Sequence, residues 1–182
     1  MSLPGKDNGF DIEGLAIFGD TLLLGLRGPV LRGWAGLLQV QLRPSGKELH
    51  LSPLPGAGLQ LRKHFLNLGG LGVRDLHVDG DDLYILAGPT MVLGGDIHLY
   101  RWPQARQHLQ GLSKETAMFW PDLRSVCELP HMPGADRAEA FCAVPPALMP
   151  GSKRSWLALY DAPSPTRHPD PHTVFGDLLL RP

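Results

Sequence analysis

Glu13 and Glu139 occupy the same place in two similar runs, IEGLAIF and AEAFCAV, and Arg74 takes that place in a third run, VRDLHV, with Asp75 beside it. If the three runs are the first strands of stacked sheets, these side chains meet on one level. Carboxylates gathered in this way bind a hard cation through oxygen ligands, which makes Glu13, Asp75 and Glu139 the candidate set for calcium. A guanidinium among them offers a second reading, a charge network that keeps the sheets in register. His77 lies two residues beyond Asp75. It is a candidate general base at neutral pH, or else a histidine whose ring is satisfied within the sheet packing.

A second group falls at strand ends. Arg27 precedes Gly28-Pro29 and Asp161 precedes Ala162-Pro163, opposite charges at matched positions that suggest a salt bridge or a loop anchor. Arg32 adds another guanidinium nearby, and two arginines at one opening can grip a carboxylate or phosphate in a bidentate manner. Arginine also hydrogen-bonds loop carbonyls, so a structural role competes with the binding role at both positions.

Other chemistries lack their signatures. The eight histidines show no zinc spacing, and His168 and His172 flank Pro-Asp-Pro, which excludes presentation on one helical face. There is no nucleophile elbow and no phosphate-cradling loop. The glycines of GGLGVRD lead into a strand, the wrong context for a dinucleotide site. Trp34, Trp102, Trp120 and Trp156 read as packing residues at strand ends, since no basic groove accompanies them.

The elements that must position these residues recur along the chain. Residues 12–29, IEGLAIFGDTLLLGLRGP, and 73–89, VRDLHVDGDDLYILAGP, align at an offset of 61 residues once one residue is skipped. Repeats of this period mark stacked supersecondary units. The 22 glycines and 18 prolines punctuate short apolar runs, the pattern of many strands joined by turns. The first unit is expected to have strands at 12–18, 21–26, 34–42 and 48–54. The second has strands at 73–78, 82–87, 96–102 and 124–129, with a short helix at 104–112. The third has strands at 138–144, 155–160 and 174–180, and no fourth.

Second strands such as LLLGL, LYILA and WLALY are apolar almost throughout, as expected of sheets covered on both faces. The expected fold is therefore all-β and β-propeller-like, with about three four-stranded blades in an incomplete ring; a sandwich is the alternative. Residues 1–8 read as a tail or cloning remnant. Residues 9–182 read as one domain with units at about 9–68, 69–130 and 131–182. The absent last strand leaves an edge open to self-association.

The order and spacing of GFDIEGLAIFGDTLLLGLRGPVLRGWA, FLNLGGLGVRDL, LYILAGPTM, AEAF and LALYDAPSPTR resemble the bacterial domain of unknown function numbered 3616, from Gly9 to the last residues. The resemblance implies a propeller-type all-β domain, of which this chain is the C-terminal portion, and implies no reaction or ligand. The chain departs from it at Ala140, where AEG is expected. The EG pair of the first strand is also similar to that of phytase-like esterases and calcium-dependent lactonases.

Composition narrows the function classes. Seventeen basic residues against 18 acidic ones argue against nucleic-acid binding. No apolar run is long enough to span a membrane. Two cysteines make no disulfide framework, and Cys142, inside an apolar run, is expected to be a small buried hydrophobe. The N-terminus lacks a signal peptide, which favours the cytoplasm. The expected function is a ligand-binding or protein-interaction module for a small molecule or protein. The alternative is a calcium-dependent hydrolase of esters, lactones or phosphate esters, with its site at the central channel.

Overall fold

The computed structural model describes residues 8–91, 94–111, 114–149 and 155–180. Residues 1–7 of the expected tail and Leu112 of the expected helix lie outside them. Alternating burial drives the first hairpin. In β1 (Asp11–Phe18), Gly14, Ala16 and Phe18 are buried while Leu15 and Ile17 are exposed. Gly19 turns the chain at φ 58°, a left-handed conformation that glycine adopts without strain, into β2 (Thr21–Gly28). Gly80 makes the same turn at φ 64° between β6 (Gly72–Asp79) and β7 (Asp82–Gly88).

The protein is all-β with one short helix, and its three sheets remain separate. The first runs in the order β1-β2-β3-β5-β9, with β3 at Trp34–Ser45, β5 at Leu61–Asn67 and β9 at Ala117–Trp120. The second is β10-β8-β7-β6, with β8 at Ile97–Trp102 and β10 at Arg124–Leu129. The third is β11-β12-β13, at Arg137–Ala143, Ser155–Asp161 and Asp177–Leu180. The helix α1 (Ala105–Gln110) follows β8 and buries Ala105 and Leu109.

The fourth strand of the first sheet differs from the sequence expectation. The run at 48–54 forms β4 (Glu48–Ser52), which pairs only with the far end of β3, Gln41–Ser45. The place beside Trp34–Val40 belongs to β5. Its buried face carries Arg62 and His64, so the apolar alternation that marks a strand is hidden in its sequence. Outside it, β9 adds in parallel, although it lies within the second unit of the sequence.

Two cores separate the three sheets. Leu83, Ile85 and Ala87 of β7 pack with Ala16, Leu23 and Leu37 of the first sheet. Tyr84 and Leu86, on the opposite face of β7, pack with Phe141, Trp156 and Ala158 of the third. The second sheet is thus covered on both faces, as its continuous apolar strands require. Trp156 lies against Tyr84 and Phe141, and Trp102 against Trp120 and His108, which are packing roles.

Candidate functional site: an ionic cluster at matched β-bulges

Each first strand carries a β-bulge at the same point. The register passes from Ile12 to Gly14, from Val73 to Asp75 and from Ala138 to Ala140. Glu13, Arg74 and Glu139 are the unpaired extra residues. On β2 the register jumps from Gly28 to Leu26, leaving Arg27 as a fourth extra residue. An extra residue breaks the strict alternation of faces and re-aims its side chain. Here all four converge.

Arg74 is the hub. Its Nη1 donates to Glu139 Oε1 at 2.7 Å and lies 3.5 Å from Glu13 Oε2, while Nη2 donates to the Pro89 carbonyl at 2.8 Å. Arg27 Nη1 donates to Glu13 Oε1 at 3.1 Å and Asp11 Oδ2 at 3.4 Å. Asp11 is a member that the repeat comparison did not single out, because it lies one residue before the aligned segment. Arg74 is only 5% exposed, Glu13 25% and Glu139 39%, so the cluster is buried at its hub and open at its carboxylates. Burial raises the Glu13 carboxyl above its ordinary range against the pull of Arg74 and Arg27. Burial also lowers the Arg74 guanidinium, which Glu13 and Glu139 partly offset. Three carboxylates face two guanidiniums, so with all five ionised the cluster is net negative.

Asp75 does other work. Its Oδ1 accepts from Leu76 N–H and its Oδ2 from Phe141 N–H, both at 2.8 Å, so it ties β6 to β11. Burial raises its carboxyl, and those two hydrogen bonds oppose the shift. His77 is half-buried with its ring edge against Phe141, and burial lowers its imidazole. Arg27 forms its ion pairs within its own sheet rather than with Asp161, which is an exposed residue at the end of β12. The matching residue of β2 is Gly28: Asp161 pairs with Arg137 as Gly28 pairs with Asp11, and the bulge leaves Arg27 without a counterpart. Arg32 occupies an exposed turn at φ 53°, outside the cluster.

A family model described as Protein of unknown function (DUF3616) matches residues 1–177. The chain belongs to this family. No curated protein and no solved structure matches it. The family resemblance leads one to expect glycine at Ala140, and the structure explains why alanine is accommodated. The equivalent Gly14 faces the second sheet, where a Cβ would come within 2.8 Å of Val73 Cγ1. Ala140 is exposed on the outer side of the third sheet. Cys142, on that same side, is exposed rather than buried, because no further sheet covers it among the described residues.

Three other polar groupings escaped the sequence reading. His64 is fully buried; its Nδ1 accepts from Trp120 Nε1 at 3.1 Å and its Nε2 meets Gln39 Oε1 at 2.9 Å. Gln39 also lines a cavity of about 420 Å³ with Arg62, Gln41 and Thr21. Arg167 grips Asp177 through both Nη atoms at 2.7 and 2.8 Å and lies 3.9 Å over the Tyr160 ring. On the surface, Asp96, Glu128 and His131 bring ligand atoms within 4.8 Å of one another. Their sequence spacing follows no motif, because each set is assembled across strands.

Proposed function

We propose that this protein is a ligand-binding or protein-interaction module of propeller-like architecture, whose first strands line one channel and whose ionic cluster forms the binding surface there. The observation that carries the reading is the coincidence of bulges at Glu13, Arg74 and Glu139. Three sheets stacked with their first strands adjacent, and four in-line antiparallel strands in the second, support the propeller-like description. The partly open carboxylates and their net negative charge suit a cationic group, such as an amine or guanidinium on a small molecule or a basic peptide side chain.

The cluster also braces the sheets, and the two roles are compatible. A calcium-dependent hydrolase is the second reading. It requires Arg74 to give way, since its guanidinium already neutralises Glu13 and Glu139 where a cation would do so. Calorimetric titration with spermidine, arginine amide and calcium chloride distinguishes the readings. Saturable binding of an organic cation that Glu139→Gln abolishes supports the module. Calcium binding accompanied by metal-dependent cleavage of an ester or lactone would favour the hydrolase. The absence of any saturable heat would leave the cluster a brace alone.

A further inference from the structure

The repeat allows each sheet face to be compared with its equivalents. Leu15, Leu76 and Phe141 hold one position on the first, second and third sheets, each two residues beyond its bulged residue. Leu76 packs against Gly14 of the preceding sheet and is 5% exposed. Phe141 packs against Tyr84 and His77 of its preceding sheet and is 4% exposed. Leu15 has the same orientation with no preceding sheet among the described residues, and it is 57% exposed. Ile17 beside it is 59% exposed. The same outer face carries a groove of about 340 Å³ lined by Phe10, Leu26, Leu31, Gly36, Leu38 and Leu61 among others.

The third sheet shows the converse. Gly14 and Gly25 of the first sheet face the second sheet, as do Ala16 and Leu23 beside them. Their equivalents in the third sheet are Ala140, Leu159, Cys142 and Leu157. These lie on the side opposite to Trp156, Ala158 and Tyr160, and Leu159 is 44% exposed. Leu178 and Leu180 of β13 extend this outer face and are also exposed. One end of the stack therefore presents the face that each internal interface receives, and the other end presents the face that each internal interface offers.

We infer that a second copy of this chain covers these faces, the outer side of the first sheet of one copy packing on the outer side of the third sheet of the other, with two such contacts closing a six-sheet ring. The occupant follows from the internal interfaces. Both join the same two kinds of face in the same order, and a second copy supplies both missing partners at once. Six sheets also lie within the range over which such rings close. A head-to-tail contact closes when its rotation divides the circle and otherwise propagates. The inference rests on the propeller-like arrangement but not on what the ionic cluster binds.

Light scattering and sedimentation velocity of the purified chain test it. The expected result is a species of about twice the 19.9 kDa chain mass that dissociates on dilution. Leu15→Glu and Leu159→Glu, both at exposed positions, each convert it to monomer with an unchanged far-ultraviolet circular dichroism spectrum. An equimolar mixture of the two variants retains one intact contact and recovers a dimer at higher concentration, at least tenfold weaker than that of the wild type. Should either variant misfold, Cys142 gives an independent readout in a Cys127→Ser background. Its reaction with a thiol reagent slows at least fivefold as protein concentration rises through the dimer range. A wild-type monomer at all concentrations overturns the inference, as does a dimer that survives Leu159→Glu. A Cys142 rate independent of concentration does the same. Loss of spermidine binding in an intact dimer would count against the ligand reading alone.

Discussion

Arg74 and Glu139, 65 residues apart, meet at 2.7 Å across the boundary between the second and third sheets. Each is the extra residue of its own bulge, so the contact depends on two local irregularities at equivalent points. Without them, alternation would send both side chains into the faces of their sheets.

Replacing Arg74 tests how much the hub holds. Arg74→Met leaves Glu13, Glu139 and Asp11 facing one guanidinium, and it strips the Pro89 carbonyl of a donor. Breaking a buried pair costs about 3–5 kcal/mol, but exposure of Glu139 to water reduces this, and about 2–3 kcal/mol is expected here. Adding Glu139→Gln to Arg74→Met should restore about 1 kcal/mol in urea denaturation. Strictly additive losses would show that the two residues are uncoupled.

Gly72 sets how closely the first and second sheets approach. A Cβ there would lie 1.9 Å from the Arg27 carbonyl oxygen, and backbone cannot move aside as a side-chain tip can. Gly72→Ala is expected to cost about 3 kcal/mol, as overpacking in a rigid setting does. Gly94→Ala is the control, since its nearest neighbour would be Pro133 Cα at 3.8 Å; it should stay within about 0.5 kcal/mol. Equal stabilities for the two variants would rule out close sheet packing at Gly72.

The repeat made the inner hairpins legible. β1, β2, β6, β7, β11 and β12 lie within two residues of the ranges read from the sequence, because their apolar alternation and turn glycines are local signals. β5 was missed because Arg62 and His64 occupy its buried face, satisfied by partners from distant segments that no local window reveals. The cluster was partly legible for the same reason. Matched positions flagged Glu13, Arg74 and Glu139. The bulge that inserts Arg27, and with it the partnership with Asp11, depends on pairing between strands. Asp75 was grouped with the carboxylates by proximity in sequence. The bulge at Arg74 lets that neighbour reach the cluster while Asp75 bonds the Phe141 N–H.

Asp177 should give the third sheet an acid limit. Its hydrogen bonds to Arg167 hold the carboxyl below its ordinary range, opposed by partial burial and helped by Tyr160 O–H. A carboxyl depressed in the folded state adds stability that is fully present above about pH 4, the unfolded value, and is lost as pH falls through the lower folded value. Asp177→Asn should therefore melt below the wild type at pH 7, and the gap should narrow below about pH 4. A gap that stays constant down to pH 2.5 would exclude this linkage.

His64 should act over a higher pH range. Trp120 Nε1 can only donate, so His64 Nδ1 must accept, and Nε2 carries the proton that goes to Gln39 Oε1. A second proton would set an Nδ1 donor against the indole donor beside the Arg62 charge, in a site sealed from water. Burial first, and Arg62 second, push the imidazole down to about 3. The unfolded chain then binds a proton that the folded chain refuses between about pH 6.5 and 3. Stability is unaffected above that window and declines as pH falls through it, by at most about 1.4 kcal/mol per pH unit. His64→Gln removes the titration while keeping a polar side chain, and it should lower stability at pH 7 by about 1–2 kcal/mol through lost packing. Urea midpoints at pH 7, 5.5 and 4 provide the check. The variant should decline less steeply than the wild type and approach it by pH 4, whereas parallel declines would mean that His64 is not the group taking up the proton on unfolding.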